Sequence, residues 1–99
     1  MKYLDNLIRH EKIDESYADR ARPFVGFSNF PNRSPKESFS KGYLSAGSIL
    51  TDKQDSLRRR YGLVESIKKA RAFYKERPLL SAESKGFNAS IKDYLQSKK

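Results

Sequence analysis

The sequence predicts a small, mainly α-helical protein, a loose bundle of three or four helices with a long irregular segment over residues 23–50. Three observations predict it. Apolar residues recur at helical spacing in three separate stretches. Turn-forming residues crowd one central stretch. The chain has 99 residues, enough for a single small domain spanning 1–99.

The first helical stretch begins at Tyr3, Leu4, Leu7 and Ile8, a narrow apolar stripe. Asp5 in its first turn suits the helix dipole. The pattern resumes at Tyr17, Ala18 and Ala21, with Asp14 as an N-cap should a second short helix begin there. Pro23 restricts Arg22 and ends the section. One helix and two helices both fit residues 2–22.

Residues 22–35 contain three prolines and no helical period. A short strand at Phe24–Phe27 would need a partner strand. Phe39, Tyr43, Leu44, Ile49 and Leu50 follow, broken by Gly42 and Gly47. A loop this long in a small domain is usually functional or partly disordered, and a partner could order it.

Thr51 reads as the N-cap of the next helix, with Asp52 and Asp55 in its first turn. From 52 to 77 good helix formers dominate, and Leu63, Val64, Ile67, Ala70 and Tyr74 share one apolar face. Gly62 either sits mid-helix at a cost of about 1 kcal/mol or divides two helices. Pro78 ends the element. Phe87, Ile91, Tyr94 and Leu95 define a last helix, with Asn88 as its N-cap.

Composition narrows the function. Leu, Ile, Val and Phe number 22 of 99, barely above the level where disorder prevails. Six Tyr and six Phe make a small core feasible. The absence of cysteine excludes disulfides and thiolate metal sites. No apolar run has the length of a signal peptide or a membrane span, so the protein is expected in the cytoplasm, a nucleus or a virion and is not expected to be secreted.

Enzyme chemistry finds little support. His10 is the sole histidine and reads as a surface residue beside Glu11. Acid pairs such as Asp14/Glu15 and Asp52/Asp55 read as helix-start residues. No glycine-rich loop precedes a Lys-Ser or Lys-Thr pair, so there is no P-loop. No catalytic residue, metal or cofactor is expected. Ser34-Pro35-Lys36 looks like a phosphorylation site and Asn88-Ala89-Ser90 like a glycosylation acceptor, both commonplace matches.

The charge is the informative property. The net is +9. Residues 1–50 hold eight Lys/Arg against six Asp/Glu, and residues 51–99 hold thirteen against six. Such asymmetry points to a polyanion or an acidic protein surface. On an unbroken helix, Arg58, Arg59, Gly62, Ser66, Lys69, Phe73 and Arg77 share one side. Arg and Lys would neutralise phosphates, Ser66 would donate to one, and Phe73 would stack on a base. Lys68 and Lys75 add charge, as does Arg60, which with Arg71 could cover apolar surface with its stem. A solvated face with Asp55–Arg59 and Glu65–Lys69 pairs is the plain alternative.

The expected function is nucleic-acid binding through phosphate contacts from Arg58, Arg59, Arg60, Ser66, Lys68, Lys69, Phe73, Lys75 and Arg77. The alternative is an accessory, inhibitory or assembly protein, such as a virus or phage encodes, docking on an acidic protein surface. In that case Phe24, Phe27 and Phe30 would anchor the partner, unless they plug the core.

Overall fold

The computed structural model describes residues 2–21 and 33–98. The described residues form four α-helices and no strand: α1 (Lys2–Ala21), α2 (Pro35–Thr51), α3 (Ser56–Lys75) and α4 (Ser81–Ser97). A 3-10 turn, Pro78–Leu80, joins α3 to α4. The mainly α class is as expected. Phe24, Phe27, Phe30 and the strand weighed at 24–27 lie outside the described residues.

The irregular segment expected over 23–50 is corrected from Pro35 onward, because Pro35–Thr51 is a regular helix at the centre of the bundle. Its start obeys local rules. The Ser34 hydroxyl accepts from the Glu37 amide at 3.2 Å, and the Glu37 carboxylate accepts from the Ser34 amide at 2.9 Å. This capping box satisfies two orphan donors, and Pro35 sits in the first turn, where a missing N–H costs nothing.

The glycines that argued against a helix serve its packing. A methyl group at Gly42 would collide with the Glu83 carbonyl of α4, and one at Gly86 with the Phe39 carbonyl of α2. The two helices meet backbone to backbone, an approach that larger residues would prevent. Tyr43, Ala46 and Leu50 of α2 then pack with Phe87 and Ile91 of α4 in the core.

α1 is one helix, so Asp14 caps nothing. It runs antiparallel to α2: Leu7 lies on Gly47, His10 on Ser40 and Arg20 on Glu37. Tyr3 and Leu7 face inward, while Leu4 and Ile8 are exposed. The inward line continues through His10, three residues beyond Leu7. This corrects the surface reading of His10: it is 6 % exposed, stacked on Tyr43 at 4.2 Å, and shares a 2.7 Å hydrogen bond with Ser40.

Thr51 closes α2 rather than opening α3, and its hydroxyl donates to the Gly47 carbonyl at 2.7 Å. Asp55 is the N-cap of α3, accepting from the amides of Leu57 and Arg58 at 3.0 and 3.2 Å. Its second oxygen accepts from the Ser48 hydroxyl at 2.6 Å, fixing the turn to α2. At Gly62 the backbone takes φ 82° and ψ 175°, so α3 is two helical pieces joined at a kink. That conformation is essentially reserved for glycine. α4 begins at Ser81, not near Asn88 as its apolar spacing implied. Its first turns carry Ala82 and Gly86, whose small size suits α2 but leaves no apolar period.

The core is small and rich in hydroxyls. Tyr3, Tyr43, Ala46, Ile49, Leu50, Tyr74, Phe87 and Ile91 form it. Burying a side chain such as Phe87 contributes roughly 2–3 kcal/mol. Tyr3 shares a 2.7 Å hydrogen bond with Ser90, and Tyr43 donates to Asp93 at 2.7 Å. Among the described residues every buried side-chain polar atom has a partner. No helix in this set is long and apolar enough to cross a membrane.

Candidate nucleic-acid interface

Between residues 53 and 77 the sequence places nine Lys/Arg against three Asp/Glu. The structure sorts these cations into structural and free ones. Arg58 is structural: its guanidinium donates to the Ile49 and Leu50 carbonyls at 3.0 and 3.1 Å, closing the C-terminus of α2. A cation there also complements the negative end of the helix dipole. Arg71 donates to Asn88 on α4 at 3.1 Å, and Lys68 lies 3.8 Å from Glu65. The expected Asp55–Arg59 and Glu65–Lys69 pairs are not among the ion pairs of the described residues.

Arg59, Arg60, Lys69 and Lys75 are exposed, with no acid in ion-pair range among the described residues. Two of them gather on one ring. Arg60 lies 5.4 Å and Lys69 4.5 Å from the centre of Tyr61. Further along, Arg77 stacks 3.8 Å over Phe73 and donates to the Phe73 carbonyl at 3.1 Å. Phe73 is 44 % exposed.

The single continuous face expected on an unbroken helix does not form, because Gly62 turns the chain. Ser66 is the clearest casualty. It is fully buried, and its hydroxyl donates to the Gly62 carbonyl at 2.5 Å, so it faces away from any phosphate.

α3 stands off α2, leaving a groove of about 720 Å³. Leu44, Ser45, Ser48 and Ile49 of α2 line one side, and Leu57, Tyr61, Lys69, Ala70 and Phe73 of α3 the other. Asp14 and Asp55 also border it, but Arg33 holds Asp14 at 2.7 Å and Asp55 is spent on its cap. Tyr74 forms part of the inner wall. Burial pushes its hydroxyl well above the usual phenol range, and the Glu83 carboxylate adds to the rise. Lys41 stands at the edge, 3.7 Å from Glu83.

A second basic patch escaped the sequence reading. Arg9 and Lys12 of α1 and Lys36 of α2 border a depression of about 460 Å³ over His10 and Phe39. These cations sit on different helices within the half of the chain whose net charge is small, so counting charge along the sequence did not group them. The groove was missed for a related reason, since α2 was not read as a helix.

Compared with known proteins, the chain matches no family model, no curated sequence and no solved structure.

Proposed function

We propose that this protein binds nucleic acid through phosphate contacts made by α3, with little sequence specificity. The observation that carries the reading is the set Arg59, Arg60, Lys69 and Lys75, four exposed cations spread over the two pieces of α3 without acid partners among the described residues. Such cations displace counterions from a phosphate backbone, and the released ions drive binding. Four contacts correspond to a slope of log K against log salt of about −3.6 on a duplex and about −2.8 on a single strand. Contacts of this kind go to the phosphate backbone and carry no sequence information, so they position rather than specify.

The test is fluorescence anisotropy of labelled DNA and RNA across a salt series. Arg59→Ala/Arg60→Ala/Lys69→Ala is compared with Lys85→Ala/Lys92→Ala/Lys98→Ala, which removes equal charge from α4 and its C-cap. The reading expects the α3 variant to bind more weakly with a flatter slope, and the α4 variant to stay close to wild type. Equal weakening would reduce the effect to net charge, and no binding near physiological salt would end the reading.

A second reading, docking on an acidic protein surface, draws on exposed apolar side chains of α3 and of the turn that follows it. Val64 is 61 % and Leu79 98 % exposed. Val64→Ser/Leu79→Ser removes that docking surface and leaves phosphate contacts intact.

A further inference from the structure

We propose that the groove between α2 and α3 takes the bases of a single-stranded nucleic acid, stacked on Tyr61 and Phe73, while Arg60 and Lys69 hold the adjoining phosphates. The inference rests on the nucleic-acid reading and adds strandedness to it.

Three features carry it. The groove holds about 720 Å³, far more than one side chain needs, and its walls include Leu44, Leu57 and Ala70. Such a concavity suits flat apolar rings entering edge-on or face-on. Duplex bases are stacked inside their helix and cannot enter, whereas single-stranded bases can be splayed out. Next, both aromatic residues of the α3 wall that remain partly exposed carry a flexible cation over the ring, which can swing to a phosphate as a base takes its place. Lys69 is 4.5 Å from the Tyr61 ring and Arg77 3.8 Å from the Phe73 ring. A base on the ring and a phosphate on the neighbouring cation is the arrangement by which non-specific single-strand binders hold their ligand. Finally, a free cation lines the groove: Lys69 has no acid partner among the described residues, while Asp14 is paired with Arg33 and the Asp55 carboxylate is held by the Leu57 and Arg58 amides and the Ser48 hydroxyl. Tyr61 stands just before the Gly62 kink and Phe73 beyond it, and both line the one groove, so the site takes a few nucleotides.

The experiment compares three probes of twelve nucleotides on wild-type protein: a mixed-sequence single strand, its duplex, and an abasic strand with the same number of phosphates. The single strand should bind at least about fivefold more tightly than the abasic strand, the least expected for one lost stack. It should also bind more tightly than the duplex. Tyr61→Ala and Phe73→Ala should weaken the single strand and leave the abasic strand unchanged, and Tyr61→Phe should restore the difference. Equal binding of base-bearing and abasic strands overturns the stacking and leaves phosphate binding standing. A preference for the duplex overturns it as well. Failure of all three probes overturns the nucleic-acid reading itself. On wild type, the comparison of base-bearing and abasic strands decides the stacking by itself, so a misfolded variant cannot obscure it.

Discussion

Replacing Gly42 with alanine sets two forces against each other. In the interior of a helix, alanine is favoured over glycine by roughly 0.5–1 kcal/mol, because glycine loses more backbone freedom on folding. At Gly42 the added methyl meets the Glu83 carbonyl of α4. The struck atom is backbone, so no rotamer change relieves the contact and the helices must move apart. Overpacking of this kind costs about 1–3 kcal/mol, and rigid backbone on both sides puts Gly42→Ala at the upper end. Subtracting the propensity gain leaves a loss of about 2 kcal/mol, or a fall in Tm of about 8–16 °C for a domain of this size. Gly86→Ala, whose methyl meets the Phe39 carbonyl, should behave alike. Gly47→Ala is the internal control. Its methyl meets the end of the Leu7 side chain, which can rotate away, and comes to 3.3 Å from the Tyr3 hydroxyl, which needs to give by only a few tenths of an ångström, so Tm should fall much less than for Gly42→Ala. Far-UV circular dichroism melts decide the matter. A Gly42→Ala protein that melts at or above wild type would refute the close approach of α2 and α4.

Three further expectations concern charge. Arg58→Ala should cost about 1–2 kcal/mol and lower Tm by roughly 4–16 °C, because two charge-assisted hydrogen bonds to α2 are lost, while Arg59→Ala should stay within about 0.5 kcal/mol. Thermal melts of the two variants check this. His10 is held below its ordinary value by burial, with Arg9 adding to the fall and Asp93 opposing it. The unfolded chain therefore takes up the proton first, and stability present above pH 6.5 is lost as pH falls through the folded-state value. Urea unfolding of wild type and His10→Gln between pH 7 and 5 should show the slope in wild type only. Glu37 is held down to about 2, first by the Ser34 amide and then by the Arg20 guanidinium. Its contribution is complete above pH 4.5 and disappears as pH falls from 4.5 to 2, a window in which Glu37→Gln should unfold with a smaller pH dependence.

α1 and α3 were legible because apolar residues recur at helical spacing, a signal that survives without knowledge of neighbours. α2 was not, and the reason is physical. Its contact with α4 is built from Gly42 and Ala46, and small residues at an interface produce no hydrophobic period. The signal that could have found it lay at its start, where Ser34 and Glu37 have the spacing of a capping box and Pro35 fits the first turn. His10 was misplaced by residue type, although its phase with Tyr3 and Leu7 pointed inward. The basic character of α3 was plain from composition. Which cations remain free was not, since Arg58 is taken up by the Ile49 and Leu50 carbonyls, which only the folded chain brings near.

The phenol groups of the core give the protein an optical report of its own folding. The chain has no tryptophan and six tyrosines, so tyrosine dominates its near-ultraviolet absorbance. Burial raises Tyr3, Tyr43 and Tyr74, and the Asp93 and Glu83 carboxylates raise the last two further. An unfolded chain ionises these groups near pH 10, whereas the folded core resists, so stability is full below pH 10 and drains away above it. In an alkaline titration the buried phenolates should therefore emerge together, in a steep step that coincides with loss of helix. A colour change ordinarily used to count tyrosines would here time the collapse of the bundle.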